Sequence, residues 1–282
     1  MSESSRITIL DHGYLELVES WGSDEGIVEA ARMSTSKGFQ GWGPIVTKVR
    51  QCRKCMVTED EPTGKWECCA GYLGAGAVEH EWGEPSVERS KPGDEKLLRY
   101  LWEHRHTSPF EHAGATFEVQ APIFVLREWM RSRTQSYSEM SSRYTTLPDF
   151  NYIPTVERLM LAGDSENRQA GTVKGAAVLT EQAAIGYRIL LSQMYHNQQM
   201  FYERVLADGV PKELARIHLP VGRYSRMRAS ANLWNWLHFL GLRCALDSQW
   251  EIRSYAKAVR DMLDVRFPRT LALFMVDAKV QV

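Results

Sequence analysis

The hydrophobic and polar positions divide the chain into segments of different period. Residues 6 to 19 hold apolar side chains in short extended runs around His12-Gly13, which predicts a strand, a turn and a second extended piece. Gly22-Ser23-Asp24 ahead of Ile27-Val28-Glu29-Ala30-Ala31-Arg32 predicts a capped helix, followed by the hydroxyl-rich loop Ser34-Thr35-Ser36. From Gly38 to Gly93, glycine, proline, tryptophan and charges alternate without a sustained period, so an insertion at about 38–93 is expected, with short elements of its own. Helical spacing returns at Leu97, Leu98, Leu101 and Trp102 and breaks at Thr107-Ser108-Pro109. Ala115 to Gln120 alternates as a half-buried strand does, and Ile123, Leu126 and Met130 behind Pro122 predict the next helix. Beyond a polar connector from Gly163 to Gly171, a stripe from Val173 through Ala184, Tyr187, Met194 and Phe201 to Val205 predicts a long helix ended by Gly209. Such a stripe belongs to a core or a subunit interface. Pro211 opens a short helix carrying Glu213 and Arg216; Asn232–Leu242 and a stretch from Asp247 to about Arg266 give further helices. The pattern predicts an α+β fold: one domain over residues 1–282, in which a small antiparallel sheet from the N-terminal strands and residues 114 to 120 packs against several helices.

Composition narrows the class. With 44% hydrophobic and 24% charged residues among 282, the chain can build a substantial core. A formal net charge of −1 argues against a nucleic-acid polymer as partner. The absence of a long apolar run or signal-like N-terminus predicts a cytoplasmic protein without a membrane partner. Its five cysteines are then expected as thiols. Cys52-Arg53-Lys54-Cys55 with Cys68-Cys69 could be read as a zinc site, but adjacent cysteines suit one tetrahedral ion poorly, so no metal is expected. His104 and His106, two apart, do not share a helix face.

Positive charge is concentrated locally. Arg127 to Arg143 holds four arginines, no lysine and five serines, the donors that grip a phosphate. Arg216 and Arg243 lie in apolar surroundings, where a guanidinium needs a carboxylate or an anionic ligand. Ion pairs with Glu213, Glu251 or Asp247 stand beside ligand binding as the two readings. Phosphate-binding loops, dinucleotide fingerprints and nucleophile elbows are absent.

The run His106-x-Ser-Pro-Phe-Glu111-His112, the segment Pro122 to Trp129, and Arg131-Ser132-Arg133 followed by seven residues and Ser141 resemble the flavin-dependent thymidylate synthases. Val210 to Pro220, Asn232, Leu242-Arg243 and Gln249-Trp250-Glu251 extend the resemblance over residues 22–34 and about 94–265. It implies reductive methylation of carbon 5 of a uracil nucleotide, dUMP or UMP. Methylenetetrahydrofolate would give the carbon and NADPH would reduce bound FAD. It also implies a homotetramer with shared active sites. Arg243 would be catalytic, polarising the uracil edge. Glu128, Arg131, Glu139, Met140, Ser141, Ser142, Arg143 and Arg216 would complete the nucleotide site. Ser34, His106, Ser108, Glu111, Arg131, Ser132, Arg133, Thr134, Ser138, Asn232 and His238 would meet the flavin.

The chain departs from that pattern in places. Ser132 replaces the central histidine of the signature, Ser138 an asparagine, Glu128 a glutamine and Trp234 an arginine. A carboxylate at Glu128 would suit the extra sugar hydroxyl of UMP, and nucleoside-antibiotic pathways use such chemistry. The alternatives are an FAD- and nucleotide-binding NADPH oxidase without methyl transfer, and a nucleotide-binding regulator.

Overall fold

The computed structural model describes residues 6–53, 82–161 and 179–277. In chain order these form β1 (Arg6–Ile9), β2 (Gly13–Trp21), α1 (Asp24–Arg32), β3 (Ile45–Val49), β4 (Val87–Lys91), α2 (Asp94–Glu103), β5 (Gly114–Pro122), α3 (Ile123–Trp129), β6 (Ser136–Glu139), α4 (Val156–Met160), α5 (Glu181–Ala207), α6 (Lys212–Ala215), β7 (Tyr224–Asn232), α7 (Leu233–Arg243), α8 (Trp250–Arg266) and α9 (Pro268–Asp277). They divide into two compact units: residues 32–106, and the described residues on either side of that span.

The larger unit is built on a five-stranded antiparallel sheet in the order β1-β2-β5-β7-β6. The α+β expectation holds, and the sheet is wider than the sequence pattern indicated, because β6 and β7 join it. Side-chain alternation sorts the two faces. Leu15, Phe117, Val119, Met227 and Ala229 are buried on one face. Against that face Trp236 donates from its indole to the Ala115 carbonyl at 2.9 Å, and Phe117 meets Trp236 edge-on at 5.0 Å. Gly13 leaves room for the Tyr255 hydroxyl, which an added Cβ would meet at 2.0 Å; that hydroxyl donates to the Gln120 carbonyl at 2.7 Å. The opposite face is polar. There Glu118 accepts from Tyr14 at 2.9 Å and from Arg228 at 3.2 Å. Burial raises the Glu118 pKa, but these bonds and the charges of Arg226 and Arg228 outweigh it and leave the carboxyl below its ordinary value.

Phe267 ends α8, and Pro268 opens α9, which the sequence reading did not separate. Buried Asp24 satisfies the first turn of α9, accepting from the main-chain nitrogens of Arg269 at 2.8 Å and Thr270 at 3.2 Å and from the Thr270 hydroxyl at 2.6 Å. The long helix forms as expected, capped by Thr180, and buries Ala184 and Tyr202. Ile189, Leu190, Met194, Met200 and Phe201 on it are exposed. The connector from Gly163 to Gly171 and the first part of its predicted stripe (Val173, Ala176, Ala177) lie outside the described residues.

In the smaller unit β3 and β4 pair antiparallel, giving the insertion the short elements expected of it. Buried Asp94 ties its ends, accepting from the Arg32 guanidinium and from the Gln40 nitrogen at 2.5 Å. Gly93 permits this closure, since an added Cβ would meet the Gly43 carbonyl at 1.9 Å. Cys52 is a buried free thiol; Cys55, Cys68 and Cys69 lie outside the described residues. Among the described residues no group of three metal-ligating side chains occurs, and no helix is long and apolar enough to cross a membrane.

Candidate active site

The arginine-serine stretch folds as helix, turn, edge strand and loop, all within the larger unit. Helix α3 stops at Trp129, whose indole donates to Gln135 at 3.0 Å in the buried base of the turn. The Tyr137 hydroxyl, one strand later, donates to the Ser132 carbonyl at 2.6 Å. Burial pushes that phenol up to about 12, Arg243 drawing it down slightly, so it stays a donor at neutral pH. These bonds fix a turn on which Arg131, Arg133 and Thr134 are exposed. Ser132 is buried instead, with its hydroxyl unpartnered among the described residues. It therefore fills space inside the turn where a histidine ring would have faced outward.

Beyond β6, the Met140 nitrogen donates to the Arg226 carbonyl at 2.8 Å and carries the strand into a loop at Ser141 and Ser142. This loop, α3 and the turn after α6 enclose a cavity of about 360 Å³. Glu139, Met140, Ser141, Ser142 and Arg216 line it, as the nucleotide reading expected. Arg216 follows α6 and donates from Nη1 to the Ser142 hydroxyl at 2.9 Å. The sequence reading missed Arg127, exposed on the cavity side of α3 together with Ile123 and Met130. It also missed Leu147 and Ser225. Ser225 is 1% exposed and its hydroxyl has no partner among the described residues. The i, i+4, i+7 spacing of Ile123, Arg127 and Met130 was the available signal for the α3 face. Arg143 does not line the cavity; it is exposed, with Nε 3.3 Å from Glu213.

Arg243 ends α7 and reaches the last turn of α3. Its Nη1 pairs with the Glu128 carboxylate, and its Nη2 donates to the Glu128 carbonyl at 3.0 Å. A cation at a helix C-terminus meets the partial negative charge of the orphan carbonyls there. The acids expected beside Arg216 and Arg243 are engaged elsewhere: Glu251 accepts from Arg158 at 2.7 Å and Tyr152 at 3.1 Å, and Glu213 faces Arg143. Neighbouring Cys244 is buried, which raises its thiol to about 11.

Of the residues expected to meet the flavin, Ser108 and Glu111 lie exposed on a 3-10 turn, Ser108–His112, that packs against α7. Trp234, in the place of an arginine, has its ring 5.9 Å from Phe110 of that turn. Asn232 caps α7, its Oδ1 accepting from the Asn235 nitrogen at 2.9 Å, and His238 is exposed on the same helix. Ser138 sits exposed on β6 opposite Arg228. Ser34 and His106, both exposed, belong to the smaller unit, where the His106 ring stacks 5.8 Å from Tyr100. The guanidinium groups of Arg131 and Arg133 suit a diphosphate, and the amide of Asn232 and the ring of His238 suit a polar ring edge, so this donor set fits a flavin dinucleotide.

Residues 16–269 match the family model described as thymidylate synthase complementing protein. A flavin-dependent thymidylate synthase of Thermus thermophilus is 33% identical over 268 residues, covering 95% of this chain and 77% of that protein. The enzyme of the same name from Thermosipho africanus is 31% identical, covering 95% and 92%. Among solved structures, the UMP/dUMP methylase PolB of Streptomyces cacaoi bound with 5-Br UMP superposes with a TM-score of 0.68 at 26% identity, covering 98% of this chain and 99% of that one. Its complex with 5-Br dUMP gives 0.66 at 28% identity, covering 96% and 97%. By a match that spans the sheet, the cavity and both arginine clusters, the chain belongs to the flavin-dependent thymidylate synthase family.

Proposed function

We propose that this protein methylates carbon 5 of the uracil ring of dUMP and of UMP, using methylenetetrahydrofolate, FAD and NADPH. The observation that carries the reading is the cavity in which Arg216 and Arg127 face the Ser141-Ser142 loop. Two guanidinium groups and two hydroxyls form a phosphate seat of suitable chemistry. Glu139 on the same wall is an acceptor for sugar hydroxyls, and the unpartnered Ser225 hydroxyl offers a further bond. Glu139 takes that role in place of Glu128, whose carboxylate is engaged by Arg243. UMP as well as dUMP is favoured by the likeness to PolB, a methylase named for both nucleotides.

Arg243, fixed at the end of α3, would orient the uracil edge and stabilise charge developing on its carbonyl oxygen. Cys244 is a poor nucleophile, because its buried thiol stays protonated at neutral pH. This suits a methylation that forms no bond between protein and substrate. When bound on the Arg131–Thr134 turn and α7, the flavin would supply hydride. The exposed apolar face of α5 supports assembly into a homotetramer, as the family resemblance implies.

Purified protein given FAD, folate and NADPH should convert dUMP and UMP, each product gaining one methyl group by mass. Failure to turn over UMP under conditions that convert dUMP overturns the dual specificity. NADPH oxidation without methylated product assigns the chain to the oxidase reading. A colourless protein that takes up no FAD assigns it to the regulator.

A further inference from the structure

We infer that Glu128 sets the polarity of nucleotide binding, by neutralising Arg243 so that the phosphate end cannot settle there. The inference rests on the nucleotide reading of the cavity. A nucleoside monophosphate is charged at one end only, its uracil edge being neutral. A site with exposed arginines at both ends would accept it in either direction, and only one direction places carbon 5 for reaction.

The structure distinguishes the two ends by charge. In the cavity Arg127 and Arg216 oppose the single carboxylate of Glu139, leaving an excess of positive charge. Arg216 has a hydroxyl as its partner, and among the described residues no carboxylate lies within ion-pairing distance of it. Arg243 differs in each respect. Its side chain is 15% exposed, both terminal nitrogens are held by Glu128, and the pair carries no net charge. A dianion brought there would lie beside a carboxylate and a helix C-terminus, both repulsive to it. A uracil edge carries carbonyl oxygens and no net charge, so it can share the guanidinium without that penalty. Glutamine at this position would keep the shape and the main-chain bond to Arg243 while leaving its charge exposed to anions. Glu128 is thus a specificity residue acting through Arg243.

The test is isothermal titration of inorganic phosphate and of dUMP. Against wild type, Glu128→Gln should bind phosphate on the order of tenfold tighter, and it should show a lower kcat as nucleotide binds in reverse. Glu128→Asp, which keeps the charge, should retain the wild-type phosphate affinity. Arg216→Ala should weaken phosphate binding, and adding Glu128→Gln to it should restore that binding at the other end. Equal phosphate affinity in wild type and Glu128→Gln overturns the inference, as does failure of the double variant to recover. If Glu128→Gln does not fold, Arg243→Gln decides: its unpaired carboxylate should weaken phosphate binding, and an unchanged affinity overturns the inference. Failure of the nucleotide reading is distinct, since wild type would then bind no dUMP and Arg216→Ala would change nothing.

Discussion

Arg216→Ala is the sharpest perturbation of the cavity. In the free protein this side chain makes one hydrogen bond, from Nη1 to the Ser142 hydroxyl at 2.9 Å, in a half-buried position. Its loss should cost about 0.5–1.5 kcal/mol of stability. For a chain of this size that corresponds to a drop of roughly 2–6 °C in Tm. A guanidinium bound to a phosphate is worth more, about 1.5–3 kcal/mol for charge-assisted bonds in a partly buried site. The Kd for dUMP should therefore rise by roughly 10- to 150-fold. Arg216→Lys keeps the charge but not the planar fork and should fall between the two. Calorimetric titration of dUMP, with thermal denaturation of the same samples, separates binding from folding. A folded Arg216→Ala protein with unchanged dUMP affinity would remove the cavity from the nucleotide reading.

Four other outcomes follow from the same geometry. Arg127→Ala should weaken dUMP binding by about tenfold, a single charge-assisted contact, with no loss of Tm; unchanged affinity would show that lining the cavity is not enough. Glu118 has a folded pKa below its free value, so its contribution to stability is full above the free carboxylate value and is lost as pH falls through the lowered folded value. Glu118→Gln should thus reduce Tm at pH 7 and flatten the acid limb of Tm against pH, and parallel limbs would refute this. Cys244, with its thiol raised to about 11, should resist alkylation at pH 8 in the folded protein and react on unfolding; rapid labelling of the native thiol would contradict the burial. Placing glutamate at both Leu190 and Met194 on the exposed side of α5 should lower the mass seen by light scattering, and an unchanged oligomer would put the interface elsewhere.

What the sequence made legible depended on how far apart the causes lie. Helices α2, α7 and α8 follow from apolar residues spaced for one helix face and from signals at their own ends, such as Asn232 capping α7. β7 was missed because its buried positions between Tyr224 and Asn232 include small alanines, and Arg226 and Arg228 dominate the composition. The period of two was nevertheless there. β6 has four residues, three of them polar, and is a strand only because β7 offers it an edge. The serines of the nucleotide loop were legible from the family signature, whereas Ser225 carries no local mark and reaches the cavity through its place in β7.

The arginines show the same limit in energetic form. Composition alone required that Arg216 and Arg243 have partners, and nearby acids were the economical guess. The fold draws instead on residues 74 and 115 positions away, Ser142 for Arg216 and Glu128 for Arg243. Glu251, one of the nearby acids, goes to Arg158 across 93 positions. The outcome is functional as well as structural, because a hydroxyl leaves a guanidinium its full charge and a carboxylate cancels it. Two arginines equivalent in the sequence thereby become unequal in the site, one prepared for a phosphate and the other for an uncharged ring edge. Neither partner could be exchanged for the other without erasing that distinction, which is why Glu128 rather than either arginine is the position where substrate orientation can be changed by a single atom.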